Sequence, residues 1–182
     1  MSVEDPEALR FLAFWFSAGP AKWFSRNNEF DASCRGYVAL WERARDGGCD
    51  AWAQTAAGSL ARIILLDQIP RNIFRDSPKQ YSTDDLALSA AYAAIDAGHD
   101  VTQTLPCRNF YYLPLEHAED LAAQERCLDL LRPLGDKEFY YWALVHADAI
   151  RRFGRFPHRN AMLGRETTEA EAAYLASGGF GY

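Results

Sequence analysis

Apolar side chains recur at steps of three and four residues along almost the whole of this sequence, and no other feature restricts its fold as strongly. That spacing places them on one face of a helix with 3.6 residues per turn. The strict alternation that a half-buried strand requires is not sustained anywhere, and valine, a strand-favouring residue, is rare. The chain therefore reads as all-α, with about seven helices linked by short turns and folded as antiparallel hairpins.

Local signals set the boundaries of these helices. The first is expected over 6–17, with Asp5 as N-cap, Pro6 at the first helical position and Gly19-Pro20 as the stop. The second runs over 28–45 and carries Phe30, Cys34, Tyr37, Val38 and Trp41 on one side. The third, over 50–68, becomes apolar all round at Ile63-Ile64-Leu65-Leu66, which places it at the centre of the fold. Pro70 is expected to end it, because proline restricts the residue before it. A fourth starts at Thr83-Asp84-Asp85 and closes at Gly98, and 105–114 reads as an irregular connection. The fifth is expected over 115–131 and the sixth over 136–153, and a short helix is expected over 158–163. Thr167 or Thr168 is expected to cap the last helix, and Thr168 with Glu171 three residues on has the form of a capping box. No linker long enough to divide the chain is visible, so 1–182 reads as a single domain. In the tail, Phe180 and Tyr182 are expected to dock on the body.

Several polar residues interrupt the apolar stripes. His146 falls in the middle of the stripe formed by Phe139, Trp142, Ala143, Ile150 and Phe153, whereas Asp148 points the other way. His117 and Gln124 lie on the stripe of Leu121, Leu128 and Leu131. Asp67 continues the face of Leu60, Ile63 and Ile64, with Gln68 beside it and Arg71 just beyond. An orphaned buried polar group costs about 1–3 kcal/mol, so these groups must find partners. Two outcomes fit: a buried hydrogen-bonded network, or the lining of a polar site.

A second signal is the run from Arg151 to Asn160, which holds four arginines and a histidine within an acidic protein. Guanidinium forks and free backbone N–H groups at a helix start both suit a carboxylate or phosphate. Arg155, His158, Arg159 and Asn160 are candidates for such a role, while Arg151 and Arg152 read as a solvated face. The candidate ligand-binding set is therefore Gln68, Arg71, Asn72, Glu116, His117, His146, Arg155, His158, Arg159 and Asn160. If acid–base chemistry occurs, His117 or His146 with a carboxylate is the pair to carry it.

Composition removes several function classes. The net charge of −6 argues against a nucleic-acid partner, because phosphate contacts need clustered cations. The longest apolar run, Ile63 to Leu66, falls far short of the ~20 residues of a membrane span. The polar start of the sequence does not resemble a secretory signal, so a cytoplasmic location is expected. Cys34, Cys49, Cys107 and Cys127 show neither zinc-site nor disulfide spacing, and no metal or other cofactor is expected. No P-loop, Gly-x-Gly-x-x-Gly or nucleophile elbow is present.

Longer motifs give the chain a likeness. Phe14-Trp15-Phe16, Trp23-Phe24 followed by Phe30-Asp31, the run from Leu65 to Arg75, Tyr112 to Asp120 and Arg152 to Asn160 occur in this order. The chain closely resembles bacterial domain-of-unknown-function family 924 over nearly its whole length, with Ala118 standing where serine is more usual. The resemblance implies an all-helical, tetratricopeptide-like right-handed array and no established activity. A ~34-residue repeat signature is not readable in the sequence.

Two readings of function follow. The first is a small-molecule-binding protein, with or without enzymatic activity, whose Arg/His/Asn site takes an anionic metabolite. The second is a protein- or peptide-interaction module, which would expose a groove lined by aromatics such as Trp15, Trp23 and Trp41. Neither a reaction nor an oligomeric state follows from these patterns.

Overall fold

The structure, a computed structural model, describes residues 3–180, and helix is the only regular structure among them. Tyr182, expected to dock on the body, lies outside the described residues. The contacts gather into two compact units, Met1–Pro114 and Leu115–Tyr182. The seven main expected helices are present, though several are subdivided.

In the first unit, α1 (Pro6–Ala18) starts as expected: the Asp5 side chain accepts from the Glu7 and Ala8 amides, and Pro6 occupies the first turn. Gly19, at φ +76°, ends it and leads into the short α2 (Pro20–Trp23). The predicted 28–45 helix is instead two, α3 (Asn28–Cys34) and α4 (Val38–Arg45), with a tighter 3-10 turn at Arg35–Tyr37 between them. Gly36 sits in that turn, where the lack of a side chain weakens the helix. The start of the predicted 50–68 helix is likewise a 3-10 turn, Asp50–Gln54. Thr55 then caps α5 (Ala56–Ile73) by accepting from the Gly58 amide. A side chain at Gly58 would meet the Trp52 carbonyl at 2.2 Å, so the approach of these two segments requires glycine there.

Helix α5 is the spine of this unit. Almost every residue from Gly58 to Pro70 is buried, and α1, α3, α4 and α6 (Asp84–Asp96) all pack on it. Pro70 does not end it; the helix continues to Ile73. Proline lacks the N–H that should bond the carbonyl four residues back, that of Leu66. The buried Thr83 hydroxyl donates to that carbonyl at 2.6 Å instead, and Trp41 Nε1 donates to Thr83 Oγ1 at 3.2 Å. A residue distant in sequence thus satisfies the group that proline orphans. Around the spine, Trp15 stacks on Trp23 at 6.3 Å and meets Phe110 edge-on at 5.9 Å. Removing a buried ring of this size costs about 3–5 kcal/mol.

The four-residue α7 (Leu113–Glu116) contains the boundary between the units. The predicted 115–131 helix is broken at 117–120, and α8 (Leu121–Leu131) starts afresh with Asp120 as N-cap. No glycine or proline marks this break. Gln124 sustains it, with its Nε2 donating to the carbonyls of Glu116 at 2.6 Å and Ala118 at 2.8 Å. Helix α8 packs on α9 (Lys137–Phe153), which ends at Gly154 in the left-handed region. The capping box of α10 (Glu169–Ala176) is present as expected. The expected 158–163 helix is only a 3-10 turn, Pro157–Arg159. Phe180 does dock: it joins Ala149, Ile150 and Phe156 in a core to which Val145 and Tyr174 add.

Candidate functional site

The polar residues on apolar stripes fall into two groups, each held within its own unit. In the first unit, Asp67 is fully buried and accepts from Gln68 Nε2 at 2.5 Å. Arg71, one turn on, donates to the Asp67 carbonyl at 2.7 Å and forks onto both oxygens of Asp84 at 2.8 and 3.1 Å. Burial alone would lower the Arg71 pKa, but Asp67 and Asp84 more than reverse this and raise it. Asn72 Nδ2 donates to Asp31 Oδ1 at 2.9 Å, and Arg75 forks onto the same carboxylate at 2.5 and 3.0 Å. Gln68, Arg71 and Asn72 are thus bound into carboxylate pairs made by this unit alone. Nothing in the sequence marks Asp31 or Arg75 as partners, because they are 44 residues apart.

The second unit holds a different kind of group. His146, buried on the inner face of α9, places Nδ1 2.8 Å from the Trp142 carbonyl and 3.1 Å from Glu116 Oε1. A carbonyl only accepts, so Nδ1 carries the hydrogen and Nε2 is the lone-pair nitrogen. Burial pushes the His146 pKa well below the usual histidine value, and the neighbouring His117, Arg159 and His158 push the same way. The His117 ring centre lies 6.0 Å from that of His146. His158 is lowered to about 4, first by burial and then by Arg159. Phe180 lies 4.1 Å from His146 and 4.8 Å from His158, and Phe156 meets His146 edge-on at 5.5 Å. The Arg159 guanidinium sits 4.5 Å over the Phe156 ring, and its Nη2 donates to the His117 carbonyl at 3.0 Å. Glu116, His117, His146, His158 and Arg159, selected from the sequence, therefore form one cluster.

Arg155 and Asn160 belong to an adjoining frame in the same unit. Arg155 forks onto Glu171, which is 1% exposed, at 2.6 and 2.9 Å, and Asn160 Nδ2 donates to the same carboxylate at 3.2 Å. Glu171 is held at about 2, chiefly by its hydrogen bond to Arg155. Arg165 forks onto Glu119 at 2.6 and 2.9 Å and donates to the Asn160 side chain at 3.0 Å and the Phe156 carbonyl at 3.0 Å. The Phe156 amide donates to Glu119 at 2.7 Å. These bonds shape the turn that carries His158 and Arg159. Sequence reasoning missed Arg165 because it stands beyond Gly164 on no helical stripe. It took Glu171 as a capping residue, which it is, but not as the partner of Arg155 and Asn160.

Arg151 and Arg152 are exposed, as expected of a solvated face, and all four cysteines are free. No group of three or more His, Cys, Asp or Glu side chains among the described residues is arranged to hold a metal ion. No helix among them is long and apolar enough to cross a membrane. Trp15, Trp23 and Trp41 are all buried.

Comparison with known proteins agrees with this geometry in extent but supplies no activity. A family model described as a bacterial protein of unknown function (DUF924) matches residues 11–179. A solved structure of a protein of unknown function from Agrobacterium tumefaciens is similar to this chain at 44% identity with a TM-score of 0.91. The match covers 94% of this chain and 97% of that one. No curated protein matches.

Proposed function

The chain belongs to the DUF924 family of bacterial proteins of unknown function, and we propose that it binds a small anionic metabolite at the histidine cluster of its second unit, with His146 as the proton-handling group. The observation that carries this reading is the placement of His146 Nδ1 against both the Trp142 carbonyl and the Glu116 carboxyl. That arrangement holds the ring in one tautomer and orients Nε2 as a base, the role a carboxyl-bound imidazole performs in acid–base sites. Burial keeps the ring neutral at physiological pH and disfavours its protonated form, so Nε2 takes a proton only where the charge of a bound anion offsets the burial.

The preference for an anion rests on charge. His146 and His158 are neutral rings close enough to Arg159 for its charge to lower both pKa values. A carboxylate or phosphate beside Arg159 would meet a guanidinium partly freed of water, where a charge-assisted bond is at its strongest. Arg155 and Asn160, placed in the same set by their sequence, act here as the frame that holds the His158–Arg159 turn. Gln68, Arg71 and Asn72 serve the first unit as structural pairs. The competing reading, a peptide-binding groove lined by Trp15, Trp23 and Trp41, loses those rings to the core, while Tyr141, Trp142 and Leu144 stay exposed on α9.

Thermal-shift screening against phosphorylated and carboxylated metabolites tests the proposal. At least one compound is expected to raise the melting temperature of the wild type, with the shift lost in His146→Gln and in Arg159→Gln. A panel that leaves the wild type unmoved, or a shift that survives in both variants, sinks it.

A further inference from the structure

Helix α9 carries His146 on its inner face and two exposed apolar side chains, Tyr141 and Leu144, on the opposite side. On that side Tyr141 is 58% exposed and Leu144 44%, whereas Val145 packs into the core of the unit and Trp142 lies nearer the His146 side. Exposed apolar residues are common singly, but Tyr141 and Leu144 lie one turn apart on the same face and between opposite charges. At 100° per residue, Lys137, Tyr141, Leu144 and Asp148 lie within about 60° of one another, so they form a single stripe along the helix.

The order of chemistry along that stripe is cation, apolar, apolar, anion. Such a stripe is complementary to its own reverse. If a second α9 lies antiparallel across it, Tyr141 faces Leu144 of the other copy and Lys137 faces Asp148, with both pairings repeated by the two-fold axis. We infer that this face of α9 is a homodimer interface, formed by α9 against α9 of a second copy in antiparallel register. An isologous interface requires this property, that one patch be complementary to itself. The ends of the stripe are available for it. Lys137 is exposed, and the Asp148 side chain keeps 45% of its surface although Arg152 bonds it at 2.9 Å. In the dimer, Asp148 would take Lys137 of the second copy on its free side, so that one carboxylate lies between two cations. An unrelated protein partner would have no reason to match this reversed order of charge.

Sedimentation of the full chain from about 1 to 200 µM tests the inference, a span chosen because weak homodimers have micromolar dissociation constants. The wild type is expected to pass from monomer to dimer within it. Tyr141→Glu combined with Leu144→Lys is expected to remain monomeric throughout, with an unchanged far-ultraviolet dichroism spectrum showing that it folds. Lys137→Glu should weaken the dimer about tenfold, through repulsion from Asp148 at two symmetric places, and adding Asp148→Lys should restore it. Three results would overturn the inference: a wild type that stays monomeric, a dimer indifferent to Tyr141→Glu/Leu144→Lys, or a dimer that the charge exchange does not rescue. The first two remove the interface, and the third removes the antiparallel register.

Discussion

The polar group around Asp31, Asp67 and Asp84 and the one around His146 look alike on a helical wheel but differ in chemistry. In the first, guanidinium forks and amide groups saturate the carboxylates: Arg75 and Asn72 on Asp31, Arg71 on Asp84, Gln68 on Asp67. In the second, three imidazoles gather near one guanidinium, and burial holds His146 and His158 neutral. A saturated pair resists change, because removing either partner strands a charge. Neutral His146 keeps its Nε2 lone pair and so keeps a use. The difference shows that a polar residue on an apolar stripe is not in itself evidence of a site; what matters is whether its partners exhaust its bonding capacity.

Breaking the saturated side should have the largest effect. Asp31→Ala leaves the Arg75 guanidinium and Asn72 amide without their shared acceptor at a 4% exposed position, and is expected to cost about 3–5 kcal/mol in urea denaturation. A loss below about 1 kcal/mol would mean that this network is not saturated in the sense argued.

The histidine side should instead reveal itself through pH. His158 titrates at about 4 in the folded chain against 6.5 as an ordinary histidine, so the unfolded chain binds the extra proton first. Its contribution is present above pH 6.5 and is lost as pH falls from 6.5 through 4, on the order of 2 kcal/mol. His158→Asn should flatten the stability profile over that window. An equally steep profile in the variant would assign the slope to other groups. The frame of the same unit responds at lower pH. The Glu171 carboxyl is depressed from 4.5 to about 2, so its contribution is present above 4.5 and lost as pH falls through 2. Glu171→Gln should cost about 1–2 kcal/mol near neutrality. Its gap from wild type should narrow below pH 4.5 and would have to widen there for the assignment to be wrong.

The smallest effect is a control. Arg26 Nη2 donates to both oxygens of Asp76 at 2.6 and 2.7 Å, but the two side chains are 63% and 72% exposed. Arg26→Ala should change stability by no more than about 0.5 kcal/mol, because an equally short guanidinium–carboxylate contact yields little when water screens it. A change as large as that of Asp31→Ala would remove burial as the explanation of the contrast.

The cluster was partly legible in the sequence. His146 and His117 were visible as imidazoles on amphipathic stripes, Glu116 as an acid in a first helical turn, and His158 and Arg159 as part of a basic run at a helix end. Their separation from Arg155 and Asn160 was not legible. All of these side chains have the same kind of chemistry in the linear sequence, and only the arrival of Glu171 and Arg165 decides which of them are already occupied.

The same division holds for the fold. Residues within one helical turn decide whether a stretch is helical and where it starts, because caps act through local backbone groups. Asp5, Thr168 with Glu171, and the stop at Gly154 all appear where their sequence neighbours place them. Tertiary contacts decided the exceptions. Pro70 should have ended α5, and α5 runs through it because Thr83 reaches the Leu66 carbonyl. The stretch from 115 to 131 should have been one helix, and it breaks because Gln124 turns back onto the carbonyls of Glu116 and Ala118. Each exception turns on where an unsatisfied backbone carbonyl finds a donor. Hydrogen bonds reach through space, so a donor outside the local turn can overrule a signal the local sequence spells out plainly.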